Sequence, residues 1–469
     1  MAGPQSCDLV VTNGYVLTLD KDRRVFPQGA LAIKGGRIAA VGRAQDIARA
    51  WRAGRTIDAR GATVHPGFID AHVHIVHGTC RGIFGERPQA KAPNVNFADW
   101  KADVTPDDEH AATAFAALEL LRNGFTCFIE PGSAFDTDAV AAACDAVGVR
   151  ALLAGCYLWD QIEIMSTLGK LDSKRMYERA PANLDRCLKE LGRELHRNKD
   201  PDALVRGYVA IYGLGTASDE LERAAASLAR QHGVAFQQHD GYTPESHAAD
   251  RARLGRTRLS HLMEMGVIGE GASLVHMNLI DDSDEAALLK TGATLVWCPH
   301  AYFGLGAAAR VRPKIPALYK RGMNVALAVD GTMDIRLGEA AMGAFCMARQ
   351  EGIAIEPEDL IEMQSIRAAK AAGLEAEIGS LEAGKRADVV VRRADAAETY
   401  PGVNPVHQLA LMAREGSADT VIVAGRVVLR DGRSTRMDDG AVLAEARASV
   451  LRRMNRLGLT ASLRWPVAA

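Results

Sequence analysis

Residues 65–82 read HPGFIDAHVHIVHGTCRG, and four of the chain's thirteen histidines fall between His65 and His77. A structural histidine usually stands alone. His72 and His74 instead alternate along an apolar segment, and alternate residues of a strand project from one face. Two imidazoles side by side on one face point to a bound metal.

Working outward from this segment, seven more apolar strand candidates follow in series. They are FTCFIEP (125–131), RALLAGCY (150–157), VRGYVAIY (205–212), VAFQQH (234–239), SLVHM (273–277), TLVWC (294–298) and NVALAVD (324–330). Segments with helical periodicity, such as DEHAATAFAALELLRNG and SDELERAAASLARQHG, separate them, each closed by glycine. Eight strand–helix units in series predict a parallel (β/α)8 TIM-like barrel of the α/β class more than an open doubly wound sheet.

The two chain ends have another texture. DLVVTNGYVLTL and GALAIKGGRIAAVG carry the hairpin signals Asn13-Gly14 and Gly35-Gly36, and ADVVVRR with DTVIVAGRVVLRDGR repeats the pattern near the C-terminus. The expected organisation is a barrel over 66–379 and one small β-sandwich domain built from 1–65 and 380–469.

Bulk composition narrows the function classes. At 469 residues the chain exceeds the usual size of one core. A formal charge of −2 gives no electrostatic reason to expect nucleic acid or a membrane surface as partner. Eight scattered cysteines without a CxxC pair fit reduced thiols. The start lacks a signal-peptide pattern, and no run approaches the ~20 apolar residues of a membrane span. The expectation is a cytoplasmic homo-oligomer acting on a small molecule.

In such barrels catalytic groups sit at the C-terminal ends of strands. His72 and His74 lie late in the first strand candidate, His239 ends the fifth, His276 nearly ends the sixth and Asp330 ends the eighth. One such histidine is more often a satisfied polar residue than a ligand, but the five together reverse that reading. Imidazoles with a carboxylate suit zinc, iron, cobalt or nickel, and the expected cofactor is one divalent ion, zinc before iron or cobalt. Asp330 is placed as ligand and proton acceptor, and His276 as the group orienting hydroxide or polarising the substrate. His77 and His300 face the same proposed mouth. Two glycine-bearing stretches are decoys. GSLEAGKR (379–386) lacks the Ser/Thr and the helix of a phosphate loop, and GLGAAA (304–309) lacks the third glycine of a dinucleotide site.

The whole chain resembles the metal-dependent amidohydrolase superfamily, in its branch of chlorohydrolases, guanine and adenosylhomocysteine deaminases and related urea or carbamate hydrolases. The resemblance is carried by PGFIDAHVHIVHGTCRG through its Arg81-Gly82 pair, SLVHMNLIDDSD, LVWCPHAYFGLG, NVALAVDGTMD and IGSLEAGKRADVVV. It implies a mononuclear metal held by His72, His74, His239 and Asp330, with His276 close by. It also implies substrate contacts from Arg81 and from the fourth-strand end.

Three departures bear on function. Deaminases of this branch carry Glu three residues after the fifth-strand His, where this chain has Tyr242. The fourth-strand end offers Tyr212 in place of His, and the Ser-Asn after Cys-Pro becomes His300-Ala301. A tyrosine with a pKa near ~10 is a poor proton shuttle at neutral pH. The expected reaction is therefore hydrolysis of a non-peptide amide, urea, carbamate or thiocarbamate bond in a small, fairly apolar molecule, as in phenylurea hydrolases and molinate hydrolase. The alternatives are a deaminase or dechlorinase of an aminated heteroaromatic ring and, third, a catalytically silent scaffold. The loops 84–100 and 159–181 are expected to shape the pocket.

Overall fold

The computed structural model describes residues 3–84, 94–169, 171–304, 310–331, 336–413, 416–460 and 465. Much of the loop 84–100 expected to shape the pocket thus lies outside the described residues, as does nearly all of the 304–309 decoy.

The N-terminal strands are β1 (Gln5–Leu17), β2 (Val25–Lys34), β3 (Arg37–Arg43), β4 (Trp51–Asp58) and β5 (Thr63–Pro66). Then come β6 (Phe68–Asp70), β7 (Phe125–Ile129), β8 (Arg150–Leu153), β9 (Val205–Gly207) and β10 (Val209–Gly213). These are followed by β11 (Phe236–Asp240), β12 (Ala272–His276), β13 (Thr294–Trp297) and β14 (Asn324–Leu327). The C-terminal strands are β15 (Val389–Arg392), β16 (Ala418–Val423), β17 (Arg426–Arg430) and β18 (Arg433–Ser434).

The central strands pair in parallel as two sheets, β6-β7-β8-β9 and β10-β11-β12-β13-β14. Their residues are buried almost throughout, as expected of parallel strands covered by helices. The strand expected at 205–212 is divided at Tyr208, so that β9 joins one sheet and β10 the other. Between the outer strands, a bridge pairs Val73 with Asp330, and the Ala71 amide donates to the Leu327 carbonyl.

The intervening helices begin where the sequence supplies caps. Helix Pro106–Arg122 starts with a capping box between Thr105 and Asp108 and Pro at its first turn. Helix Asp219–His232 is capped by the Ser218 hydroxyl and ends at Gly233 in the left-handed conformation.

The strands of both chain ends form one sheet of nine, in the order β18-β17-β16-β15-β5-β1-β2-β3, with β4 also on β1. Strand β1 is the branch point of this sheet. It pairs along one side with β4 over Gln5–Thr12 and then with β5 at Tyr15–Val16, so the sheet forks without separating. The junction between the chain ends is the antiparallel pair β15–β5. Among the described residues, no helix is long and apolar enough to cross a membrane.

Candidate metal centre

Strand β6 is shorter than the apolar run that contains it. It stops at Asp70, whose buried Oδ1 accepts from the His72 and Val329 amides. His72 and His74 lie on an irregular extension that bridges to Asp330, and the chain then turns through a single 3-10 turn, Ile75–His77. The amide of Asp330 donates to the His72 carbonyl and that of His74 to the Asp330 carbonyl. The backbone thus holds these three residues together before their side chains are considered.

One ligand atom from each of His72, His74, His239 and Asp330 lies within 4.8 Å of every other, and all four residues are buried. Nε2 of His72 and Nε2 of His74 approach Oδ1 of Asp330 at 3.4 and 3.3 Å. The rings of His72 and His239 meet edge-on with centroids 4.7 Å apart. His276 stacks on His239 at 5.4 Å, and Tyr242 lies 4.3 Å from His276. His276 and Asp330 have φ of 75° and 69°, left-handed conformations costing on the order of 1–3 kcal/mol each that persist where the surroundings impose them.

The orientations of two imidazoles are fixed from behind. His239 Nδ1 faces the carbonyl oxygen of Tyr212 at 2.7 Å, and His72 Nδ1 faces Oε1 of Gln237 at 2.7 Å. The Nε2 atoms of both are buried, with no hydrogen-bond partner among the described residues. Buried nitrogens left so are costly unless something else engages them. Burial pushes the His239 imidazole well below its ordinary range and that of His74 down to about 4, so both are neutral and able to ligate at pH 7. Three imidazoles and one carboxylate, with the Nε2 atoms of His72 and His239 buried and unpartnered, fit a divalent cation.

The remaining residues singled out in the sequence are placed as follows. His77 is buried and stacks on His74 at 5.5 Å, with Phe97 at its edge. The Tyr212 ring packs against His239 at 4.8 Å. Arg81 pairs with Glu119 on helix Pro106–Arg122 and lies over Phe115. His300 Nε2 contacts the Glu339 carbonyl at 2.8 Å, turning the ring towards helix Ala340–Gln350. His65, the first histidine of the opening stretch, lies apart: its Nδ1 meets the Pro66 carbonyl and its Nε2 accepts from Arg392 Nε. Sequence reading passed over Gln237 and Asp70. Gln237 precedes His239 by two residues and shares its face, the same alternation that marked His72 and His74.

The model of the Amidohydrolase family matches residues 63–428. The chain belongs to that family. It is 30% identical to the 5-methylthioadenosine/S-adenosylhomocysteine deaminase of Syntrophobacter fumaroxidans, over 95% of this amidohydrolase and 98% of the relative. It is 25% identical to the 5'-deoxyadenosine deaminase of Methanosarcina mazei, over 94% and 96% of the two chains. Among solved structures, a zinc-bound adenosine deaminase of Xanthomonas campestris superposes with a TM-score of 0.82 at 25% identity, covering 96% of this chain and 100% of the other.

The amidohydrolase acts on carbon–nitrogen bonds other than peptide bonds. The expectation of an amide, urea, carbamate or thiocarbamate hydrolase is overturned, because these relatives are named deaminases. That expectation rested on the departures at Tyr242, Tyr212 and His300-Ala301, Tyr242 foremost, whereas the likeness to deaminases runs the length of the chain.

Proposed function

We propose that this amidohydrolase is a hydrolytic deaminase of an aminated purine, with adenosine-type nucleosides as the substrate class. The observation that carries the reading is the buried set His72, His74, His239 and Asp330 with His276 beside it, in a chain aligned end to end with adenosine-type deaminases. The reaction adds water at the ring carbon bearing the amino group, breaks the carbon–nitrogen bond and releases ammonia.

The four residues would hold one divalent ion, zinc before iron or cobalt. When bound there, such an ion lowers the pKa of a coordinated water towards about 7, making hydroxide available at neutral pH. Asp330, ionised and at the edge of the cluster, accepts the proton of the attacking water. His276 orients that water and polarises the reacting centre. Tyr242, whose phenol burial pushes above its ordinary range, stays protonated and donates a hydrogen bond to a ring nitrogen. Tyr212 and His77 close the sides of the pocket.

Further inferences concern architecture. The two parallel sheets are taken as one closed (β/α)8 barrel, because the Val73–Asp330 bridge and the Ala71–Leu327 hydrogen bond run between its first and last strands. Residues 66–379 are taken as the unit carrying the site, and 1–65 with 380–469 as its companion.

The deciding experiment presents zinc-loaded protein with adenosine, 5'-methylthioadenosine, S-adenosylhomocysteine and 5'-deoxyadenosine. Ammonia release together with the ultraviolet change of adenine to hypoxanthine is expected from at least one. Turnover of none of them, nor of any free aminopurine, would sink the proposal.

A further inference from the structure

Gln237 lies on β11, a residue 1% exposed, at the level of the proposed ligand His72. Its carboxamide makes two contacts across the space between the two parallel sheets. Nε2 donates to the Ala71 carbonyl at 3.0 Å, and Oε1 stands 2.7 Å from Nδ1 of His72. The first contact decides the chemistry of the second. A backbone carbonyl can only accept, so the amide nitrogen must face Ala71 and the amide oxygen must face His72. An amide oxygen can only accept in turn, so Nδ1 of His72 must carry the proton. In a neutral imidazole that leaves Nε2 bare, and Nε2 is the atom turned towards Asp330.

We propose that Gln237 is the positioning residue that fixes the tautomer and aim of His72 for cation binding. The proposal rests on the reading of His72, His74, His239 and Asp330 as a metal centre. Among the described residues, no other side chain takes this task for a member of the set in the same form. For His239 the matching acceptor is the backbone carbonyl of Tyr212, which no side-chain substitution removes. For His72 the acceptor is a side chain from a different sheet. The peptide it grips is tied on its other side too, since the Ala71 amide donates to the Leu327 carbonyl. Gln237 therefore clamps the irregular extension that carries both His72 and His74. Without the acceptor, a buried Nδ1–H would be left unpaired, and the ring would be driven to the Nε2–H tautomer, which cannot ligate through Nε2, the atom turned towards Asp330.

The test uses full-length protein stripped by chelator, with zinc as probe. Zinc affinity is measured by competition with a chromogenic chelator, and the tautomer of His72 in the metal-free protein by nitrogen-15 NMR. Gln237→Leu is expected to weaken zinc binding by about 10–100-fold, the usual effect of losing such a partner, and to lose the Nδ1–H signature of His72. Gln237→Glu keeps an acceptor at His72 and is expected to retain most of the affinity and the Nδ1–H form. Wild-type protein that binds no zinc would refute the metal centre itself. If wild type binds zinc while Gln237→Leu binds equally well with the same tautomer, the centre stands and the role of Gln237 falls. The role also falls if Gln237→Glu, folded by its thermal transition, loses as much affinity as Gln237→Leu, or if Gln237→Leu does not fold and Gln237→Glu lacks the Nδ1–H form.

Discussion

The imidazole of His239 is aimed by the backbone of Tyr212, whose carbonyl oxygen lies 2.7 Å from His239 Nδ1. That carbonyl belongs to the last turn of strand before Gly213, where φ is 80° and an added Cβ would fall on the His239 carbonyl oxygen. A side chain at position 213 therefore meets both backbone strain and a backbone atom that cannot move without moving His239. Gly213→Ala is expected to destabilise the fold by about 1–3 kcal/mol and to reduce zinc content. Denaturant unfolding and metal analysis check the two effects separately, and a variant as stable and as zinc-replete as wild type would show that the end of β10 yields.

Metal loading and turnover should separate cleanly between neighbouring histidines. His72→Ala, His239→Ala and Asp330→Ala each remove one inward-facing donor and should lose most bound metal. His276 stacks on His239 without belonging to the set whose ligand atoms cluster together. His276→Ala should keep its zinc yet lose turnover by about a hundredfold or more, within the range of a positioned acid–base group. Full occupancy and activity in both His72→Ala and His239→Ala would mean that the centre lies elsewhere.

How much of this was legible in the sequence depends on the range of the forces involved. The run FTCFI and its counterparts gave strands where they lie, because burial on both faces leaves an uninterrupted apolar stretch. His239 and His276 were legible as residues ending such runs. The early end of β6 was not, because it is set by hydrogen bonds from the His72 and Val329 amides to the Asp70 carboxylate, one of them from far along the chain. The pairing of Arg81 with Glu119 and the fork at β1 are long-range in the same sense. The substrate class was not legible because local departures, Tyr242 foremost with Tyr212 and His300-Ala301, point away from the pattern that the whole chain carries.

His65 makes folding stability depend on pH from outside the metal centre. Burial, then the charge of Arg392, pushes its imidazole well below the ordinary 6.5, so it stays neutral in the fold. Above about pH 6.5 neither the folded nor the unfolded chain protonates it, and it contributes no pH dependence. As pH falls below that value the unfolded chain takes up a proton that the folded chain refuses, so stability declines. His65→Gln should flatten part of this decline, measured as the unfolding midpoint against pH in metal-loaded protein. Parallel profiles for variant and wild type would show that the other buried histidines carry the whole effect.

The sheet shared by the chain ends makes a further prediction. β15 is paired with β5 through Val389–Pro66, Val390–His65 and Val391–Val64. Deleting residues from 380 onward strips β5 of that partner and leaves a row of unpaired backbone groups beside the apolar strands of the N-terminal part. The truncated protein should be insoluble, as judged by fractionation after expression. A soluble, active truncation would show that residues 1–65 and 380–469 do not depend on each other.

Tyr242 stands where deaminases of this branch carry Glu. Its ring lies 4.3 Å from His276, and burial, then the negative charge of Asp330, keeps its phenol protonated far above neutral pH. A phenol in that state can donate a hydrogen bond to a ring nitrogen but cannot release a proton readily. Tyr242→Phe removes the donor while keeping the ring against His276. If the donor acts on the transition state, turnover should fall by about 10²–10³-fold, the cost of one such contact of ~2.7–4 kcal/mol, with zinc content unchanged. Tyr242→Glu places there the residue that deaminases of this branch carry, a group able both to donate and to take back a proton. It should raise deamination of adenosine-type substrates over Tyr242→Phe by on the order of 10²-fold or more. A Tyr242→Phe protein as active as wild type would reduce Tyr242 to a wall of the pocket, and the ring nitrogen would then draw its hydrogen bond from another group.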